Sequence, residues 1–277
     1  MEYVAMAQLD VIKTGDAYKD EVQAQWNDDA CGSHYVEVAK PDTLEWYLEA
    51  ERYRYGTYAP WMHDVMEFAR HRGEKVLEIG AGMGTDLAQF AKNGAICTDL
   101  DLSAGHLEHA KRNFALRGLN GRFIHGDGEN LPFEDGEFDV VYSNGVIHHT
   151  PNTTRVIEEI RRILKPGGKA IIMVYAENSW HYWVRIVREL GINRHDFETI
   201  SPGEIMSRNI ELSSNNQRPL VKVYTAARLR DMFNQFGNVQ ICKRQLIAEE
   251  LPQVMRKISV ETWMKLMGWN LIVKATK

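Results

Sequence analysis

Residues 76–84 have the sequence VLEIGAGMG, and this stretch decides the fold. Its apolar first half is typical of a buried β-strand, and its glycines permit a turn in which the backbone approaches a ligand closely. A helix is predicted to begin near Thr85, which stands where a dinucleotide-binding GxGxxG motif would have its third glycine. Glu78, near the strand end, would repel a pyrophosphate and attract an ammonium or a sulfonium. The turn therefore predicts a ligand that carries positive charge.

Outward from this stretch, short apolar runs alternate with helical patterns between residues 75 and 175, as in βα units that pack into a parallel sheet. Apolar residues at helical spacing predict crossover helices between the strands. The predicted strands are Lys75–Ile79, Ile96–Leu100, Arg122–His125, Phe138–Ser143 and Lys169–Tyr175, followed by two closing strands at Val239–Arg244 and Trp269–Ala275.

Two segments fall outside this alternation. Residues 1–70 are helical by pattern and form a predicted N-terminal lid, while residues 176–222 interrupt the domain of residues 71–277 as an inserted cap. Loops and caps at strand ends form pocket walls, so we expect both segments to choose the substrate. Their aromatic residues fit either a pocket or helix packing, and packing is the favoured interpretation for most of them: Trp46, Tyr47, Tyr53, Tyr55, Tyr58, Trp61, Trp180, Tyr182 and Trp183.

The composition limits the classes of partner. The 277 residues are 44% hydrophobic and carry a formal net charge of −5, which argues against a broad basic surface for nucleic acid. Three dispersed cysteines, no secretion signal and no long apolar run predict a cytoplasmic protein without a membrane span. We expect a small-molecule substrate and a monomer or homodimer.

Acidic residues follow the second and third predicted strands. Asp101 ends the second strand, where a carboxylate can accept hydrogen bonds from both hydroxyls of a ribose. Asp127, after the third strand, is placed to accept a hydrogen bond from an adenine amino group. Together with Glu78, these carboxylates predict a site for a cationic nucleoside.

At this point the chain resembles the class I S-adenosylmethionine-dependent methyltransferases, and within them the group that includes ubiquinone and menaquinone C-methyltransferases. The resemblance rests on VLEIGAGMG, on DLS at 101–103, GDGENLPF at 126–133, FDVVYSNGVIHHTPN at 138–152 and ILKPGG at 163–168. It implies a Rossmann-like, seven-stranded α/β sheet, mostly parallel with an antiparallel last strand. Asp99 departs from the family pattern, in which a small residue is more usual.

The resemblance also implies S-adenosylmethionine as cofactor, with S-adenosylhomocysteine as product, and a set of residues that hold it. In the family, Glu78 and the glycine turn bind the methionine end, Asp101 the ribose, and Asp127 with its neighbour the adenine. The full predicted cofactor set is Arg54, Tyr55, Glu78, Gly80, Ala81, Gly82, Asp101, Leu102, Asp127, Gly128, Glu129, Asn144 and Gly145.

The candidate catalytic residues are His148, His149 and Tyr175. The paired histidines follow the fourth strand, where one of them would act as a base if the acceptor must lose a proton, or both would only shape the pocket. Tyr175 would line the same cleft or pack in the core. No metal is predicted, because a single carboxylate stands near these strand ends.

Two other functions remain open at this stage. Asp101 would also suit an NAD-dependent oxidoreductase, although the GxGxG spacing and Glu78 disfavour it. A module that binds S-adenosylmethionine without catalysis has the same sequence signature. The nature of the methylated atom, oxygen, nitrogen or carbon, is left undetermined.

Overall fold

The structure is a computed structural model that describes residues 11–28, 30–210 and 218–277. Residues 1–10 of the predicted lid, Asp29, and residues 211–217 of the predicted cap lie outside the described residues.

One mixed sheet forms the centre of the molecule. Its strand order is β3-β2-β1-β4-β5-β8-β7, and the two-residue strand β6 pairs with the end of β5. All pairings are parallel except those of β8, which runs antiparallel to β5 and β7. The strands are β1 (Lys75–Ile79), β2 (Ile96–Asp101), β3 (Gly121–His125), β4 (Phe138–Asn144), β5 (Leu164–Ala176), β6 (Val223–Tyr224), β7 (Val239–Arg244) and β8 (Asn270–Thr276).

The helices cover the two faces of this sheet and its carboxyl edge. They are α1 (Ala17–Asp28), α2 (Leu44–Arg52), α3 (Met62–Val65), α4 (Thr85–Lys92), α5 (Ala104–Leu116), α6 (Thr153–Ile163), α7 (Pro202–Asn209), α8 (Ala226–Met232) and α9 (Val260–Met267). π-Helical turns continue α2 at Tyr53–Tyr58 and open the cap at His181–Asn193.

The predicted fold class is confirmed. The seven predicted strands lie within two residues of the observed ones at nearly every end, but β5 begins at Leu164, five residues before the predicted start. No loop separates α6 from β5, because α6 ends at Ile163 and β5 begins at the next residue. The proline and glycines at 166–168 therefore lie within β5. Thr225 is the N-cap of α8, and its side chain accepts from the amide of Arg228.

Two apolar layers hold the sheet in place. One packs α6 and α8 against β1, β4 and β8 through residues such as Val141, Ile160 and Leu229. The other packs the N-terminal segment and α4 against the opposite face through Met66, Phe68 and similar side chains. Residues 55–68 of the N-terminal segment therefore pack on the sheet, because burial of their apolar side chains stabilises both.

Candidate active site

A cavity of 620 Å³ opens at the carboxyl ends of the parallel strands, where open α/β sheets bind their ligands. Its wall includes thirteen of the predicted site residues: Arg54, Glu78, Gly80, Ala81, Gly82, Asp101, Leu102, Asp127, Gly128, Asn144, Gly145, His149 and Tyr175. The other three predicted residues, Tyr55, Glu129 and His148, do not line the cavity. They contact the lining residues Asp86, Lys19 and Tyr175, respectively.

Gly80, in the glycine turn after β1, has no room for a side chain. Gly80 has a φ of +78°, and a Cβ there would lie 2.5 Å from Cγ2 of Val146. The amides of Ala81 and Gly82 donate to the carboxylates of Asp99 and Asp101, at 3.3 Å each. The left-handed backbone and these two hydrogen bonds fix the turn, so its outer face is available for close approach by a ligand.

Glu78, one residue before the end of β1, has an unusual electrostatic environment. Its side chain is buried at 2% exposure, it lines the cavity, and its Oε2 has no hydrogen-bond partner among the described residues. Burial raises the pKa of Glu78 well above its usual range, and the nearby carboxylates of Asp86 and Asp99 raise it further. A buried carboxylate without a partner is costly. A cationic ligand group, such as the ammonium of a methionine moiety, would satisfy it.

Asp86, in the first turn of α4, fixes Arg54 in the cavity wall and was not predicted from the sequence. Arg54 donates two hydrogen bonds to its carboxylate, at 2.7 and 2.6 Å, and the hydroxyls of Tyr55 and Tyr142 donate at 2.6 and 2.7 Å. Burial would raise the pKa of Asp86, but Arg54 and the hydroxyls outweigh burial and lower it. A bidentate pair fixes the orientation of a guanidinium. Arg54 is thus held in the cavity wall, while Tyr55 acts behind it.

Both carboxylate oxygens of Asp101 have partners within the protein. Its Oδ1 accepts from the amide of Ser103 at 2.8 Å, and its Oδ2 lies 3.3 Å from Nδ1 of His106. His106 in turn accepts from the amide of Cys31 and stacks on Trp26, with ring centroids 5.5 Å apart. The carboxylate predicted to bind ribose is therefore oriented by a histidine that the sequence did not single out.

The first helix closes over the other end of the same site. Nζ of Lys19 lies 2.6 Å from Asp127 and 2.8 Å from Glu129. Burial lowers the pKa of Lys19, but these two carboxylates outweigh burial and raise it. At the far end of α1, Oδ1 of Asn27 accepts from Ser103 Oγ and from the amide of Gly105. A Cβ on Gly105 would lie 2.5 Å from the Asn27 carbonyl oxygen, so glycine allows this close crossing of the chain.

The two adjacent histidines, His148 and His149, have different environments. His149 lines the cavity, and its Nδ1 lies 2.7 Å from the carbonyl oxygen of Leu220, so Nδ1 donates and Nε2 is the basic nitrogen. His148 is fully buried, and burial lowers its pKa well below the usual range, with further lowering by His149 and Lys222. Its ring packs on Tyr175 with centroids 4.1 Å apart.

Rings continue along the wall beyond Tyr175. Tyr175 stacks on Trp269 at 4.5 Å, and Trp269 contacts His181 at 4.7 Å. Among the nine aromatic residues that the sequence drew attention to, Tyr53 and Tyr58 line the cavity. Trp46 and Tyr47 are buried in a separate cluster behind it, and Trp183 is exposed. Helix packing is therefore the correct interpretation for Trp46 and Tyr47.

No helix in residues 11–28, 30–210 and 218–277 has the length and apolar character needed to cross a bilayer. Within the same ranges, no group of three or more histidine, cysteine, aspartate or glutamate side chains is arranged to hold a metal ion.

The known proteins that this chain resembles are described as methyltransferases. Residues 77–172 match the family model described as a methyltransferase domain. The sterol 4-C-methyltransferase strm-1 of Caenorhabditis elegans is 37% identical over 98 residues, which cover 35% of this chain and 29% of the relative. A phthiotriol/phenolphthiotriol dimycocerosates methyltransferase of Mycobacterium ulcerans is 33% identical over 164 residues, 57% of this chain and 58% of the relative.

The chain thus spans less than two thirds of the length of these relatives. A solved structure from Thermotoga maritima, described as an S-adenosylmethionine-dependent methyltransferase and possible histamine N-methyltransferase, covers 84% of this chain and 97% of its own at a TM-score of 0.53 and 17% identity. At that identity the likeness shows the fold alone. Residues 77–172 therefore match a methyltransferase domain, and the sheet around them has the fold of a solved S-adenosylmethionine-dependent methyltransferase.

Proposed function

We propose that this protein transfers a methyl group from S-adenosylmethionine to a small-molecule acceptor and releases S-adenosylhomocysteine. One observation carries the proposal: the buried, unpartnered Oε2 of Glu78 in the wall of the strand-end cavity. A dinucleotide would bring a pyrophosphate to this position, which a carboxylate repels. The group that suits the position is the ammonium of a methionine moiety.

The proposed cofactor contacts follow from residues already fixed by the protein. Glu78 would hold the ammonium, Arg54 the methionine carboxylate, Asp101 the ribose, and Asp127 the adenine. S-adenosylmethionine supplies an activated methyl group on a sulfonium, which a nucleophile displaces in line. The work of the protein is then to position the acceptor and to keep water away, since proximity provides much of the acceleration.

We further propose that residues 1–70 form the lid of this site and that the cap at 176–222 forms its acceptor wall. Lys19 on α1 spans Asp127 and Glu129, and Trp61 donates from Nε1 to Gln245 Oε1 on the acceptor side at 3.2 Å. These contacts support a lid that must open at α1 to admit the cofactor.

The part of the cavity wall outside the proposed cofactor contacts, here called the acceptor half, includes Tyr175, His181, Glu250, Trp269 and Asn270. Its rings support the proposal that the acceptor is natural-product-like, quinone-like or a similar metabolite. The relatives act, by their names, on sterols and on phthiotriol dimycocerosates. Where the acceptor must lose a proton, His149 is the proposed base, since its tautomer leaves Nε2 basic and it lines the cavity. His148 would support Tyr175 from behind.

Replacing each histidine by asparagine separates these roles. We expect His149→Asn to lower turnover at saturating cofactor and to remove the acidic limb of the pH–rate profile, with S-adenosylhomocysteine binding retained. His148→Asn should reduce thermal stability and leave the shape of the profile unchanged. Equal pH profiles for both variants and the unaltered protein would remove the base from the mechanism.

We propose a cytoplasmic protein, monomeric or homodimeric, that needs no nucleic acid. An NAD-dependent oxidoreductase and a non-catalytic binding module were the alternatives, and no feature of the site favours either. Calorimetry with S-adenosylhomocysteine and with NAD, followed by transfer of a radiolabelled methyl group to a metabolite extract, tests all three. Binding of NAD alone would overturn the proposal, and tight cofactor binding with no labelled product would favour the module.

A further inference from the structure

The acceptor half of the cavity has an uneven distribution of charge. Among the described residues, the cavity wall includes the cations Lys19 and Arg54, and both are paired with carboxylates at the cofactor end. The same wall includes five carboxylates, of which Glu250 lies in the acceptor half. An anionic acceptor would therefore approach a carboxylate without a compensating lysine or arginine, which is unfavourable in a partly desolvated site.

Glu250 is held as a carboxylate. It ends the short turn Ala248–Glu250 between β7 and α9, and its Oε2 accepts from the amide of Ile247 at 3.1 Å. Its Oε1 lies 4.0 Å from Nδ1 of His181, beyond hydrogen-bond distance. Burial would raise the pKa of Glu250, but His181 and the Ile247 amide outweigh burial and lower it. The group thus keeps its negative charge, and its Oε1 can accept a further donor.

Asn270 provides a second, independent observation. It begins β8 and pairs in register with Tyr175 on β5, so the two side chains are neighbours on one face of the sheet. Asn270 is 2% exposed, lines the cavity, and its Oδ1 has no hydrogen-bond partner in the part of the chain that the structure describes. A buried amide oxygen of this kind requires a donor.

Aromatic rings complete the subsite. Trp269, next to Asn270, packs between Tyr175 and His181, and all three rings line the cavity. The rings cover one another's faces and supply an apolar wall, whereas the carboxylate and the unpartnered amide oxygen are the groups that stabilise an organic ammonium. A hydroxyl would use the amide oxygen but would gain little from the charge of Glu250.

We propose that Glu250 and Asn270, beside the rings of Tyr175 and Trp269, form a subsite for a basic amine carried by the methyl acceptor. This inference rests on the proposed methyltransferase function and narrows its acceptor to amine-bearing, otherwise apolar molecules. The methylated atom is a separate question, because the amine can serve as an anchor.

Three isosteric probes test the charge preference on the unaltered protein. Calorimetry at pH 7.5, with the protein saturated by S-adenosylhomocysteine, would compare 2-phenylethylamine, 2-phenylethanol and 3-phenylpropanoate. We expect the amine to bind about 5- to 30-fold more tightly than the alcohol, in the range of a partly desolvated ammonium beside a carboxylate. The carboxylate probe should bind most weakly.

The variant Glu250→Gln should remove most of the difference between amine and alcohol. Its matched control is Glu198→Gln, because Glu198 also pairs with a histidine, His195, but its side chain is 72% exposed against 35% for Glu250 and it does not line the cavity. Equal binding of amine and alcohol, an unchanged preference in Glu250→Gln, or no binding of any probe would overturn the amine subsite. Binding of S-adenosylhomocysteine is measured first on each sample, and its failure would count against the proposed function instead.

Discussion

A buried glutamate lies near each end of the parallel strands, and the protein supplies ion-pair partners to only one of the two. At the amino edge, Glu67 is 5% exposed and meets Lys169 at 2.8 Å and Lys274 at 2.6 Å. At the carboxyl edge, Glu78 is equally buried, but its Oε2 has no protein partner among the described residues. The pKa of Glu67 is lowered to about 2, because the two lysines outweigh the effect of burial, whereas the pKa of Glu78 is raised.

This difference separates structure from function. A buried charge that the chain neutralises by itself holds the fold together, as Glu67 joins the N-terminal segment to β5 and β8. A buried carboxylate that the chain leaves unpaired lowers stability and is retained where a ligand completes it. The following predictions test that division, starting with the largest expected effect.

Glu78→Gln should weaken S-adenosylhomocysteine binding by about 10- to 100-fold, since a hydrogen bond to a charged group contributes about 1.5–3 kcal/mol. The variant without cofactor should be as stable as the unaltered protein, or more so, because it no longer buries an ionisable carboxyl. Calorimetry and thermal denaturation measure the two quantities. A variant with normal affinity and reduced stability would assign Glu78 to the same structural role as Glu67.

Glu67→Gln should show the reverse pattern. We expect the free energy of unfolding to fall by about 2 kcal/mol at pH 7, with cofactor affinity unchanged. A carboxyl with a lowered pKa contributes stability that is present above the unfolded value of 4.5 and is lost as the pH falls toward about 2.

The stability difference between Glu67→Gln and the unaltered protein should therefore narrow below pH 4.5, as measured by urea denaturation at several pH values. Glu108→Gln, which breaks an exposed pair with Lys111, is the control and should change stability little. A pH-independent difference would show that the ion pairs do not account for the loss.

Asp99→Asn should stabilise the protein at the carboxyl edge by about 1 kcal/mol. Burial and the neighbouring Asp101 raise the pKa of Asp99 well above its usual range. For a raised carboxyl pKa, stability is present at low pH and is lost as the pH rises, because the unfolded chain ionises more readily.

The increase in the free energy of unfolding caused by Asp99→Asn, measured by chemical denaturation, is expected to be larger at pH 8 than at pH 5. Asp99 does not line the cavity and its Oδ1 accepts from the Ala81 amide, a contact that asparagine can retain. Cofactor affinity should consequently stay within about twofold. Destabilisation of equal size at both pH values would contradict the argument.

Lys19→Met should have the smallest effect. Loss of its two ion pairs loosens α1, so both association and dissociation of S-adenosylhomocysteine should accelerate by about three- to fivefold while Kd changes little. Stopped-flow fluorescence measures both rates. Acceleration of dissociation alone would mean that Lys19 stabilises the bound complex and does not gate entry.

Much of the cofactor half could be predicted from the sequence, because its residues stand at fixed positions in one local pattern. The glycine turn, Glu78 and Asp101 follow strands whose apolar runs are unmistakable, and parallel strands bring their carboxyl ends to one edge. Asp86 had a weaker local signal, because it is only an acidic residue in the first turn of α4, the helix that follows the glycine turn. The role of Lys19 had none, since its partners are 108 and 110 residues away.

What the sequence determined by itself is the class of fold and the positive charge of the ligand that its strand ends attract. Tertiary structure decided which carboxylates receive a partner from the protein. Lys169 and Lys274 reach Glu67, Arg54 reaches Asp86, and Oε2 of Glu78 receives no partner among the described residues. Tertiary structure likewise joined Glu250, His181 and Asn270 from three separate segments into one wall. The physical reason is that neutralisation of a buried charge depends on distance and burial, and for these pairs sequence spacing determines neither.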